Sequence, residues 1–256
     1  VRIKTSAPDA LLPHKVAALK IVPPRYWADV GVDEFAAAPL GSGPFMITDS
    51  SPARMKLVRS PTAWRQPIVD NLEFTAAAEP VARVQGVLSG QLHIGVQLGP
   101  DEIPLVEAAG HKMLISVDPS MQVLAFITVK ESPLQDIRVR RALNYAVNRD
   151  GIAQGLLGGY AKMATQTTPS FAFGWNPDIE PWPYDPERAK AMLAEAGYPD
   201  GFSFSAEILL GSASYSPQVY QQVAADLARI GVTLSLRQIP ASQYARGVYQ
   251  GKWAGE

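Results

Sequence analysis

Asp136-Ile-Arg-Val-Arg-Arg-Ala-Leu-Asn-Tyr-Ala-Val-Asn-Arg-Asp150 decides the fold, together with Tyr184-Asp-Pro-Glu-Arg-Ala-Lys-Ala-Met-Leu-Ala-Glu-Ala-Gly-Tyr198. Both stretches predict helices with readable ends. Asp136 is an N-cap, because its carboxylate can accept from free amides of the first turn. Val139, Ala142, Leu143, Ala146 and Val147 fall three and four apart and make one buried face. In the second stretch Asp185 caps, and Pro186 at the first helical position loses no hydrogen bond. Ala189, Met192, Leu193 and Ala196 form the stripe, and Gly197 closes the helix. Neither stretch carries a nucleophile beside a base. Both read as framework for a binding surface.

Outward from these helices, Phe202, Phe204, Ala206 and Ile208 alternate as a strand. Residues 217–230 predict a long helix with Val219, Val223, Leu227 and Ile230 aligned, and Val232, Leu234 and Leu236 alternate again. Residues 123–129 are apolar and β-branched, the pattern of a central strand covered on both faces. Asp150 is expected to cap a short helix carrying Ile152, Leu156 and Leu157. Residues 161–183 show no period and hold Phe171, Phe173, Trp175 and Trp182 among Pro and Gly. Earlier in the chain, 45–48, 55–59, 72–75, 92–96 and 113–117 predict strands, and 1–5 a short edge strand. Residues 11–21, 79–88 and 101–109 predict helices, the first stopped by Pro23-Pro24. Strands alternating with helices give an α/β fold. A boundary is expected at 118–122, dividing the chain into a portion of a first lobe, 1–120, and a portion of a second, 121–256.

The 256 residues are 47% hydrophobic and 18% charged, enough for a sizeable core. A formal net charge of -1 offers no bulk attraction to nucleic acid. The absence of cysteine excludes disulfides, thiolate catalysis and cysteine zinc sites. No apolar run reaches the roughly 20 residues that span a bilayer. Val1 opens in a mixed segment, and Gly251-Lys-Trp-Ala-Gly-Glu256 stops without a closing element, so the chain reads as excised at both ends.

Several motifs agree in order with one family. They are Gly41-Ser42-Gly43-Pro44-Phe45, then Trp64 after Arg59-Ser60-Pro61-Thr62-Ala63, then Asp70-Asn71-Leu72 leading to Leu88-Ser89-Gly90. Pro133-Leu134-Gln135-Asp136-Ile137-Arg138-Val139-Arg140-Arg141-Ala142-Leu143 and the stretch from Tyr184 to Tyr198 follow. The chain resembles the periplasmic solute-binding proteins of bacterial ABC importers, of the oligopeptide, dipeptide and nickel-binding class. The resemblance implies a two-lobe α/β fold, present here in part, and an ABC permease in the inner membrane as partner. It implies a periplasmic or extracytoplasmic location, with a lipid anchor an option in the full-length protein. The expected ligand is a short peptide, an oligosaccharide or opine-like solute being the alternative. No cofactor is expected.

Candidate ligand residues fall in two groups. Phe171, Phe173 and Trp175 supply a pocket wall or else cover the lobe's core. Met121, Gln122 and Phe126 lie where the chain crosses between lobes, and the resemblance runs a comparable strand beside the ligand. Gln122 offers a donor and an acceptor to a peptide backbone. The plainer reading makes Met121 and Phe126 core and Gln122 a local cap. Arg138, Arg140 and Arg141 read as solvent-facing or structural pairs. His14, His93 and His111 lack ligand spacing. An α/β hydrolase would need a serine beside one of these histidines, and no nucleophile elbow is present.

Overall fold

The computed structural model describes residues 2–116, 121–209 and 216–255. The chain divides into two compact units, Val1–Ala77 and Ala78–Glu256.

In the first unit, α1 spans Leu12–Ala17 and α2 Pro24–Ala37. The helix expected over 11–21 is shorter than its pattern: α1 ends at Ala17 with Ala18 as its C-cap, so the chain has left the helix before it reaches Pro23-Pro24. Pro24 opens α2, because a proline in the first turn gives up no intrahelical bond. Within α2, Gly31 takes φ 77° and kinks the helix, while Phe35 meets Tyr26 and Trp27 with ring centroids 5.8 and 4.9 Å away. Strands β1 (Phe45–Ser50), β2 (Arg54–Arg59) and β3 (Asn71–Thr75) form an antiparallel meander in that order. A bulge between Ile47 and Asp49 shifts the β1–β2 register. An Arg59–Asp70 ion pair at 2.6 Å closes the base of the β2–β3 loop. Residues 2–5 form no strand.

The second unit starts with α3 (Pro80–Leu88), a 3-10 turn at Pro100–Glu102 and α4 (Ile103–Ala108). After a further 3-10 turn at Pro133–Gln135 come α5 (Ile137–Ala146), a π-helical turn at Gly151–Leu156 and α6 (Pro186–Glu195). Then follow β4 (Phe202–Leu209), α7 (Ser216–Ala228), β5 (Val232–Ile239) and α8 (Ala241–Gln250). β4 and β5 pair in parallel from Phe202↔Val232 to Leu209↔Ile239. The capping chemistry is as expected. Asp136 accepts from the Arg138 amide at 2.7 Å, and Asp185 from the Arg188 amide at 2.9 Å. Gly197 closes α6 with φ 96°.

The two helical stripes meet in the main core. Val139, Ala142, Leu143 and Ala146 of α5 pack with Ala189 and Leu193 of α6, against Phe204, Leu227, Val232 and Leu234. Gly201 and Gly231 stand immediately before β4 and β5, both with positive φ. A Cβ on Gly201 would strike the Gly231 carbonyl, so the close approach at the start of the two strands requires glycine at 201.

Four further expectations need correction. Residues 123–129 form no strand; no described segment lies beside them in a ladder, and Val129 faces solvent. A β-strand requires a partner as well as a pattern. Residues 92–96 also form none: the Leu92 amide turns back to the Gly86 carbonyl at 2.8 Å, leaving Ile94 and Val96 exposed. Residues 113–116, the described part of the expected 113–117 strand, are likewise without a ladder. Asp150 does not cap the following turn, because its backbone is already helical; the Asn148 carboxamide accepts from the Gly151 amide at 2.9 Å instead. The expected boundary at 118–122 falls largely on 118–120, outside the described residues.

Candidate functional site

The loop between the π-helical turn and α6 is anchored at its exit. Trp182 meets the Tyr145 ring edge-on at 5.1 Å, and the Arg188 guanidinium lies 4.2 Å from the centroid of the same ring. The Asp185 amide donates to the Tyr145 carbonyl at 2.8 Å, and Arg229 donates to the Tyr184 hydroxyl at 2.9 Å. These contacts join the loop's end to α5, α6 and α7.

The middle of the loop is closed on itself. Gln166 donates through Nε2 to the Asn176 carbonyl at 2.8 Å and accepts from the Asn176 amide at 3.1 Å. Inside this closure the Ala172 amide donates to the Pro169 carbonyl and the Trp175 amide to the Ala172 carbonyl. Phe171, Phe173 and Trp175 therefore share one closed turn. Phe173 is fully exposed, Phe171 is 62% exposed and Trp175 37%. These rings do not form the main core.

Met121, Gln122 and Phe126 lie on one extended segment. Met121 is half-buried and Gln122 exposed. Phe126 packs against the main core, which gives its ring a structural task. Two of the segment's carbonyls are held by side chains: the Tyr220 hydroxyl donates to Val123 at 3.1 Å and Gln135 donates to Thr128 at 3.3 Å. Burial, then the nearby Tyr244, raises the Tyr220 phenol above its ordinary range. None of the described ring pairs joins Phe126 to the rings of the aromatic turn.

Residue periodicity gave no sign of Gln166, Tyr220 or the polar junction at Asp226. That carboxylate has no exposed surface and accepts from the Asn148 amide at 2.9 Å and from Gln222 at 3.0 Å, with Arg229 at 3.4 Å. At the start of α5, the Arg138 side chain and then its amide hold the Asp136 carboxyl below the usual carboxylate range. Arg140 donates to the Leu134 and Gln135 carbonyls, so it is a structural brace. A cleft of about 70 Å³ lies among Pro80, Gly99, Glu102, Leu157 and Gln218. That is far below the roughly 300–1,000 Å³ of a ligand pocket. Among the described residues, no group of three His, Asp or Glu side chains is placed to hold a metal ion, and no helix is long and apolar enough to cross a membrane.

The family of bacterial extracellular solute-binding proteins, family 5 (Middle), matches residues 1–254. The chain belongs to this family. Among its relatives, di/tripeptide-binding protein 2 of Pseudomonas aeruginosa (strain UCBPP-PA14) is 28% identical over 224 residues, covering 86% of this chain and 42% of that protein. The glutathione-binding protein GsiB of Salmonella typhimurium is 30% identical over 233 residues, covering 89% and 44%. The chain thus spans less than half the length of these relatives. Among solved structures, the ABC transporter-associated periplasmic binding protein DppA of Helicobacter pylori, in complex with the peptide STSA, superposes with TM-score 0.79 at 24% identity, covering 94% of this chain and 48% of that one. MoaA of A. tumefaciens R10, in complex with mannopinic acid, gives 0.75 at 26% identity, covering 89% and 46%. The mixed α/β fold is that of the periplasmic binding proteins, present in part.

Proposed function

We propose that this chain is part of the extracytoplasmic solute-binding component of an ABC importer, and that its solute is a short peptide. The observation that carries the reading is the family match along residues 1–254. The names of two relatives, one binding di- and tripeptides and one glutathione, favour a peptide. In this reading residues 1–120 and 121–256 contribute to two lobes that close on the ligand, a shift between open and closed populations driven by contacts made only when shut. Phe171, Phe173 and Trp175 offer apolar contact from a shaped turn. Gln122 offers its exposed amide to a peptide backbone, flanked by Met121, while Phe126 seats the segment on the core. The partner is an ABC permease in the inner membrane, and the location is periplasmic or otherwise extracytoplasmic, a lipid anchor being an option in the full-length protein.

An opine-like solute is the second reading, favoured by the likeness to the mannopinic acid complex at 26% identity. Native mass spectrometry of the intact protein purified from cells separates the two. A co-purifying peptide mass supports the first, and an opine or sugar mass overturns it. Titration calorimetry against a mixed tripeptide library provides the independent check, and absence of heat across the library counts against peptides.

A further inference from the structure

We infer that Gln166 is a positioning residue: it sets the shape of the aromatic turn before ligand arrives, so that the turn acts as a preformed cap over an apolar ligand side chain. The inference rests on the peptide-binding reading for the identity of the ligand, and on geometry for the role of Gln166.

The Gln166 carboxamide bonds to both the amide and the carbonyl of Asn176, ten residues along the chain. That two-bond pattern reproduces one rung of an antiparallel ladder, made by a side chain where no strand exists. It closes a compact loop with its ends together. Within the ring the Ala172 and Trp175 amides are each taken up by a carbonyl three residues earlier, and Gly174 takes φ 92°, a conformation a side chain would strain. Beyond it the Asn176 side chain accepts from the Asp178 amide at 2.9 Å, which fixes the direction of exit. The turn is therefore internally specified, although its rings lie outside the main core.

Phe171 and Phe173 are left largely uncovered on this fixed turn. Each ring offers apolar surface that a solute side chain can cover. Phenylalanine loses few rotamers on contact, and a turn already in shape loses little further freedom, so the contact is gained with a small entropic opposition. The occupant that fits is an apolar side chain of the solute. A polar or absent side chain would leave the rings in water and gain nothing from the ordering.

The test uses the intact protein, wild type and with Gln166→Ala or Gln166→Glu. Hydrogen exchange at the Ala172 and Trp175 amides is read without ligand. Calorimetry is then run with trileucine and with triglycine. Loss of two neutral hydrogen bonds predicts about tenfold faster exchange at those amides in Q166A. It also predicts about tenfold weaker trileucine binding, with triglycine changed less than about twofold. Q166E keeps the acceptor for the Asn176 amide and loses the donor, so it should fall between wild type and Q166A in both readouts. Unchanged exchange in Q166A overturns the inference. So does faster exchange with trileucine unaffected, or with both peptides weakened alike. If wild type binds neither peptide, the peptide reading fails, and the exchange result alone decides whether Gln166 shapes the turn.

Discussion

Replacing Asp226 by alanine tests whether the polar junction between Asn148 and α7 is held by a buried acceptor or by an ion pair. The carboxylate has no exposed surface. One oxygen takes the Asn148 amide at 2.9 Å, and the other takes Gln222 at 3.0 Å. Alanine strands the Asn148 N–H, a loss of about 1–3 kcal/mol, and removes a hydrogen bond to a charged group, normally about 1.5–3 kcal/mol. The two overlap, because both count the same bond. Arg229 adds little at 3.4 Å, since its side chain is 57% exposed and an exposed charge is screened. About 3 kcal/mol results, at the low end of what breaking a buried pair costs. At about 2–4 °C per kcal/mol for a domain of this size, the melting temperature falls by about 6–12 °C. Asp226→Asn keeps an oxygen for the Asn148 amide and is expected to lose about 1–1.5 kcal/mol, and Arg229→Ala less than about 1 kcal/mol. Calorimetric melting of the intact protein gives the order. An Arg229→Ala loss equal to that of Asp226→Ala would refute the reasoning, since the charge pair would then carry the junction.

Gly201→Ala drives a Cβ into the Gly231 carbonyl and also strains a positive φ; about 3 kcal/mol or more is expected from chemical denaturation. Gly197→Ala has the strain but open space around it, and should lose only about 1 kcal/mol. Tyr220 must be protonated to donate to Val123, and its phenol is raised by burial and Tyr244. Its contribution is complete below the ordinary phenol value of about 10 and is lost as pH rises through the higher folded value, so melting between about pH 9 and 11 should fall more steeply in wild type than in Tyr220→Phe. Asp136 is depressed by Arg138, so its contribution is present above about pH 4 and is lost as pH falls through the lower folded value. The melting difference between wild type and Asp136→Ala should therefore shrink on acidification from pH 6, and a constant difference down to pH 2 would contradict the cap assignment.

What the sequence made legible is what local chemistry decides. The caps of α5 and α6, their stripes, the β4–α7–β5 unit and Gly197 each depend on residues a few positions apart. The segment 123–129 shows the limit. Its β-branched pattern is that of a central strand, yet strand identity is conferred by a neighbour, and here side chains of Tyr220 and Gln135 take the carbonyls of Val123 and Thr128. α2 was hidden because a proline pair reads as a stop, when its second member sits in a first helical turn. α8 is hidden for a different reason: its stop signal, Gly251 in the left-handed region, stands at the head of a trailing segment without a pattern of its own. For the candidate site, the aromatic residues were visible by composition alone. Gln166 was not, because a side chain bonding to a backbone ten residues away leaves no period.

The two kinds of hold on the aromatic loop are different in character, and that difference bears on function. Its exit is tied to the framework by Trp182 on Tyr145, by Asp185 to the Tyr145 carbonyl and by Tyr184 to Arg229. These contacts draw on the same α5–α6–α7 body that buries the main core, so loosening them requires disturbing that body. The turn carrying Phe171, Phe173 and Trp175 is instead shaped from within, by one carboxamide and a few backbone bonds. Its shape is set by bonds within the turn rather than by the main core. A surface built this way separates two properties that usually vary together: position follows from the stability of the lobe, and shape from a single polar side chain. If the turn meets the solute as proposed, substitutions inside it alter which solute side chain is accepted while the framework's stability stays as it was.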